Sequence, residues 1–173
     1  MNASMPSSEK TAAPVDQLLY APDLRRVRGR TLPLGEYRIT EEEIRSFAER
    51  WDPLPMHLGN GAEHFGTLIA SGLHTLAVFQ YLAVRAVYSR WAIFAARAVR
   101  DIELLHPVHP GDVLSGDITL LSVGPDRNGR AKAVVRGRLR NQHDRIVLTV
   151  EVESYVHSDP AQRSATARRS EDR

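Results

Sequence analysis

The stretch SGLHTLAVFQYLAVRAVY, Ser71 to Tyr88, decides the architecture. From Leu73 to Tyr88 it is apolar on nearly every face, the pattern of a helix enclosed by other elements. It is shorter than the roughly 20 residues a membrane-spanning helix needs, and His74, Gln80 and Arg85 interrupt it. The expectation is a buried helix in the middle of the fold, opening at Ser71-Gly72.

Toward the N-terminus, Tyr37-Arg38-Ile39 reads as a short strand, and Thr40-Glu41-Glu42-Glu43 forms a capping box that starts a second helix. Ile44, Phe47, Ala48 and Trp51 follow at i, i+3, i+4 and i+7, one apolar stripe facing the core. Pro53 forbids continuation, so this helix delivers Asp52 to its own end. Pro53 and Pro55 predict a stiff, extended loop running to His57.

Toward the C-terminus the period changes to two after Arg97. Leu114, Ile118 and Leu120 alternate with Ser115, Asp117 and Thr119, Pro125 to Gly129 supplies a turn, and Val135, Gly137 and Leu139 alternate with Arg136, Arg138 and Arg140. After a turn at Asn141 to Asp144, Ile146, Leu148, Val150 and Val152 continue the apolar face. Symmetric turns put Arg138 across from Asp117 and Arg136 across from Thr149, with Glu151 nearby. The arginine row then reads as a solvated face laced with weak pairs.

A long helix followed by a one-sided antiparallel sheet predicts an α+β fold in which the sheet wraps the helix. The expected folded part is residues 18–157, with polar tails at 1–17 and 158–173 that bury too little to offset ordering entropy. A curved sheet leaves an edge strand to be covered, so a homodimer with a continuous sheet is expected.

Composition narrows the chemistry. The 173 residues include no cysteine, which removes disulfides and thiolate nucleophiles and suits a cytoplasmic location. The 23 Lys and Arg are offset by 21 Asp and Glu, a net charge of +2 spread along the chain, which disfavours a nucleic-acid stripe. The first residues carry no apolar run of the secretory kind, so neither export nor a membrane partner is expected. His106 and His109 sit three apart, but without a third ligand nearby they do not make a metal site.

The informative stretch for chemistry is Trp51-Asp52-Pro53-Leu54-Pro55-Met56-His57. Adding water across an activated double bond needs a carboxylate to take a proton and a second group to hold that water or protonate carbon, and Asp with His serves. The same residues also suit a plain turn with a solvated histidine. His64 and His74 flank the region and read as structural.

This stretch resembles the Asp-x-Asn-Pro-x-His signature of the MaoC-like dehydratases and R-specific enoyl-CoA hydratases, with Asp52, Pro55 and His57 matching and Leu54 in place of the Asn. Residues 65–72, FGTLIASG, are similar to the family segment leading into the central hotdog helix, and residues 106–112, HPVHPGD, resemble its Pro-x-x-Pro-Gly-Asp strand start. The likeness runs from about Tyr37 to Tyr155.

The resemblance implies a hotdog fold and a hydro-lyase of fatty acid metabolism, working on a trans-2-enoyl thioester of coenzyme A or acyl-carrier protein to give an R-3-hydroxyacyl product. Asp52 would be the base, His57 its partner on the water, and Gly72 the amide that holds the thioester oxygen. Ser71 would be either a substrate contact or a helix cap. No cofactor is implied beyond coenzyme A as part of the substrate. Two other readings stand beside this one, a non-catalytic acyl-binding or heterodimer-partner subunit and an acyl-CoA thioesterase.

Overall fold

The structure, a computed structural model, describes residues 18–59 and 65–161. The two tails, apart from residues 158–161, and His64 lie outside the described residues. In chain order the elements are α1 (Ala21–Arg26), β1 (Thr31–Arg38), α2 (Glu41–Trp51), α3 (Pro55–Leu58), α4 (Gly72–Ala86), a 3-10 turn (Tyr88–Arg90), β2 (Ile93–Leu104), β3 (Val113–Val123), β4 (Arg130–Arg140) and β5 (Ile146–His157). The strands form one antiparallel sheet in the order β1-β3-β4-β5-β2, and α4 lies in its hollow. This is the α+β arrangement expected from the sequence.

Gly137 makes room for the helix against the sheet. A methyl group there would lie 2.2 Å from the Phe79 ring, so the glycine lets the fully buried Phe79 settle onto β4. Val78, Leu82 and Ala83 from α4 complete the core with Leu114, Ile118, Val135, Leu139, Val150 and Val152 from the strands. Burying side chains of this size stabilises by about 1.5–3 kcal/mol each.

Several expectations change. The strand around Tyr37 is longer than Tyr37-Arg38-Ile39, since β1 runs for eight residues. The capping box is present, the Thr40 and Glu43 backbone amides each donating to the other residue's side chain, but Trp51 is 63% exposed beneath the Arg50 guanidinium instead of in the core. The bend after Asp52 is not extended throughout: Leu54 holds a β conformation, but Pro55 opens the helical turn α3. The central helix is enclosed on one side only, for Leu73, Tyr81 and Val84 stay exposed.

Arg138 does face Asp117, but Arg136 faces Glu151, and Thr149 faces Arg138. An irregularity after Leu139 shifts that register. Strand β2 was not legible as a strand because three register irregularities and a positive φ at Asp101 break its alternation. These irregularities bring Arg97 and Arg100 to the outer face beside Glu153, while Leu104 reaches inward to α4.

Candidate active site

The bend is built by two helices sharing a corner. Asp52 caps the C-terminus of α2, its amide donating to the Ala48 carbonyl at 2.9 Å. Pro53 stops the helix, the Leu54 amide returns to the Asp52 carbonyl at 2.8 Å, and Pro55 starts α3 with the proline-compatible φ of a first helical residue. Two residues later His57 points back toward Asp52, its side chain 8% exposed.

The His57 ring is held in one orientation. Its Nδ1 lies 2.9 Å from the Ile69 carbonyl, which can only accept, so Nδ1 is the donor and Nε2 carries the lone pair in the neutral ring. Nε2 faces Asp52 Oδ2 at 3.6 Å, close enough for both to touch one small molecule but too far for a direct hydrogen bond. Asp52 is 25% exposed and therefore open to the cavity.

Ser71 performs two functions at once. Its hydroxyl oxygen accepts from the Leu73 amide at 3.1 Å, capping α4, and its hydrogen is donated to Asp52 Oδ2 at 2.7 Å. The hydroxyl therefore orients the carboxylate across a gap of 19 residues in sequence. Leu54, which stands where the resembling signature has Asn, is 47% exposed and does not line the cavity formed by the described residues.

The cavity has a volume of about 510 Å³ and is walled by Asp52, His57, Gly72, Thr75, Leu104 and His106 among others. Gly72 is the first residue of α4, a position whose amide has no acceptor within the helix. A methyl group on Gly72 would lie 2.1 Å from Leu104 Cδ1, so glycine lets the end of β2 close over the helix N-terminus. A carboxylate and an imidazole lone pair side by side can each accept a hydrogen from one water. An open helix amide next to them can donate to an oxygen that gains negative charge.

All four residues singled out in the sequence, Asp52, His57, Ser71 and Gly72, meet at this corner. His106 was missed as a site residue. It was weighed only as a metal ligand beside His109, whereas its Nδ1 is 2.8 Å from the Ile146 carbonyl and its ring forms part of the cavity wall. No group of three metal-ligating side chains occurs among the described residues. His74 sits away from the cavity, stacked on Phe47 at 4.6 Å, and burial holds its pKa below the usual 6.5. Nearby, the Tyr37 hydroxyl donates to Glu43, which pushes the tyrosine up to about 12 and lowers the glutamate.

No helix among the described residues is long and apolar enough to cross a membrane. A family model for the MaoC like domain matches residues 27–144, a span that takes in the bend, α4 and the start of the last hairpin. Among solved structures, the chain is similar to the MaoC-like dehydratase from Rhodospirillum rubrum, with 27% identity and a TM-score of 0.72 covering 82% of this chain and 99% of that one. It shares its fold with the R-hydratase PhaJ1 from Pseudomonas aeruginosa, at 20% identity and a TM-score of 0.64 over 83% of this chain and 88% of that one. The uncharacterized protein YdeM of Bacillus subtilis (strain 168) is 27% identical over 103 residues, 58% of this chain and 73% of its own length. With its helix wrapped by a five-stranded antiparallel sheet, its acid/base corner at the helix N-terminus and a family match over most of its length, the chain belongs to the MaoC-like domain family of hotdog-fold dehydratases and hydratases.

Proposed function

We propose that the protein is a hydro-lyase that reversibly hydrates a trans-2-enoyl thioester, of coenzyme A or of an acyl-carrier protein, to an R-3-hydroxyacyl thioester. The observation that carries this reading is the pairing of Asp52 Oδ2 with His57 Nε2 at 3.6 Å, with the ring tautomer set by the Ile69 carbonyl.

A water in front of the pair donates one hydrogen to the carboxylate and the other to Nε2. Its oxygen attacks C3 of the substrate as one of those protons is taken up. The electrons of the C2–C3 double bond move toward the thioester oxygen, where the Gly72 amide and the positive end of α4 stabilise the developing enolate. A proton returned to C2 from the same side completes a syn addition, and the reverse sequence is dehydration. Ser71 keeps the carboxylate aimed, which supplies an orienting donor that the leucine at position 54 cannot.

The exposed apolar side chains Val99, Ile102 and Leu104 on edge strand β2 support a second copy of the chain as the natural partner, completing a continuous sheet. The solved complexes HadBC and ChsH1-ChsH2 of Mycobacterium tuberculosis share the fold at 19% and 18% identity. Heteromeric pairing is therefore the other outcome to test for.

The test is to mix the purified chain with crotonyl-CoA and with longer or branched enoyl-CoAs and follow the ultraviolet absorbance of the conjugated thioester. Loss of absorbance without release of free thiol is expected. Thiol release would reassign the protein to the thioesterases. The absence of either change with every substrate, or hydration undiminished in both Asp52→Asn and His57→Ala, would remove the mechanism.

A further inference from the structure

The outer face of the sheet is uneven in charge. Toward the β4–β5 turn, Arg136 pairs with Glu151 at 2.6 Å, Arg138 with Asp117 at 3.0 Å and Arg140 with Asp144 at 2.9 Å, one cation to one carboxylate. This part of the row is what a solvated face looks like, and such pairs contribute little. At the other end one carboxylate serves three cations. Glu153, 9% exposed, pairs with Arg97, with Arg100 at 3.3 Å and with Lys132 at 3.6 Å.

Two of these cations, Arg97 and Lys132, line a cavity of about 620 Å³ together with Arg127, Arg130, Tyr155 and, from the β3–β4 turn, Gly124, Pro125 and Asn128. The cavity is larger than the one at Asp52 and lies on the opposite face of the sheet. Ala131 and Ala133 of β4 point into the core, so Arg130 and Lys132 between and beside them point outward. The Arg130 guanidinium is held at 3.5 Å over the Phe94 ring, which restrains it.

Gathering like charges around open space costs free energy that a purely structural role does not return, and sequences break local rules of this kind mainly where a ligand compensates. The cavity lining holds four cations, Arg97, Arg127, Arg130 and Lys132, and Glu153 beside two of them supplies one carboxylate, so the matching ligand is an anion with more than one negative charge. Arginine forks favour phosphate oxygens, and the volume falls within the range of small-molecule sites. We propose that this outer cavity binds a nucleotide-sized anion carrying two or more phosphates, a nucleoside diphosphate or the nucleotide end of a larger molecule. The proposal is independent of the reaction assigned to Asp52 and His57.

Calorimetric titration of the full chain with ADP, pyrophosphate and coenzyme A tests it. Saturable ADP binding is expected, weakened about tenfold or more in Arg127→Ala/Lys132→Ala. The thermal midpoint should be unchanged in that variant. The control is Arg136→Ala/Arg138→Ala at the paired end of the same face, where binding should stay within about twofold.

Coenzyme A binding that falls in the first double variant along with ADP identifies the nucleotide end of coenzyme A as the ligand. Coenzyme A binding that survives while ADP binding is lost identifies a free nucleotide. Either supports the site. No saturation by ADP or pyrophosphate up to about 1 mM overturns it. So does equal weakening in both double variants, which would mean a diffuse field, and so does affinity that rises steadily with oligonucleotide length, which would make the face a nucleic-acid surface.

Discussion

The corner that carries Asp52 and His57 and the edge strand β2 border the same cavity, joined where Leu104 closes over Gly72, yet they meet the demands of folding in opposite ways. At the corner the polar groups find partners inside the chain: His57 Nδ1 on the Ile69 carbonyl, Asp52 Oδ2 on the Ser71 hydroxyl, Ser71 on the Leu73 amide. Along β2 the chain leaves its needs unmet, with Val99 49%, Ile102 44% and Leu104 56% exposed on a twelve-residue strand whose outer side has no neighbouring strand among the described residues. The other edge, β1, is blunted by Pro33 and a register shift between Pro33 and Gly35. The difference teaches that the polar corner satisfies itself within one copy, while the strand beside it leaves apolar surface that the second copy proposed above would cover.

If the corner is self-contained, its chemistry should fail sharply when one member is changed. Asp52→Asn is expected to lower kcat/KM by about 10²–10⁴, with the circular dichroism spectrum retained. His57→Ala should do the same to turnover and also cost about 1–3 kcal/mol of stability, because the Ile69 carbonyl is left buried without its donor. A corner that needed a partner to form would instead lose activity on dilution of the wild-type protein.

If β2 is where a copy attaches, Val99→Lys with Ile102→Lys should turn a dimer into a monomer in light scattering at micromolar concentration, since two buried lysines per copy oppose the contact. A wild-type chain that is already monomeric under those conditions would break the comparison.

A smaller effect distinguishes orienting from capping at Ser71. Ser71→Ala removes both bonds and should lower kcat about tenfold while costing about 1 kcal/mol in denaturant unfolding. Ser71→Thr, which keeps a hydroxyl, should restore most of both. Loss of stability with unchanged kcat would leave Ser71 as a cap alone.

The smallest effect lies across α4 from the corner. Burial lowers the pKa of His74 in the folded state below 6.5, so the unfolded chain binds the proton more readily. The stability that neutral His74 contributes is whole above pH 6.5 and is lost as pH falls from there through the lowered folded value. His74→Phe, which keeps the stacking on Phe47, should flatten the fall of the thermal midpoint below pH 6.5. An unchanged slope would show that burial does not hold His74 neutral.

What could be read without coordinates was whatever is encoded locally. The Thr40–Glu43 capping box, the termination of α2 at Pro53, the Ser71-Gly72 start of α4 and the alternation in β3 to β5 depend on residues a few positions apart, and each is present. Asp52 and His57 were singled out by the resemblance of their stretch to a family signature, and the five-position bend with its two prolines is the local reason the chain brings them close. Strand β2 was hidden because its bulges erase the period that reading depends on.

Whatever depends on segments far apart in sequence was left to the tertiary structure. The Ser71 hydroxyl reaching Asp52, the Ile69 carbonyl choosing the His57 tautomer, His106 joining the cavity wall and three cations converging on Glu153 all join residues whose mutual distance no local pattern constrains. Periodicity tells a chain which face to bury and where to turn. Only closure of the sheet around α4 determines which distant side chains then share a few ångströms, and at this corner that sharing turns a proline-bound turn into a place where one water can be held between a carboxylate and an imidazole.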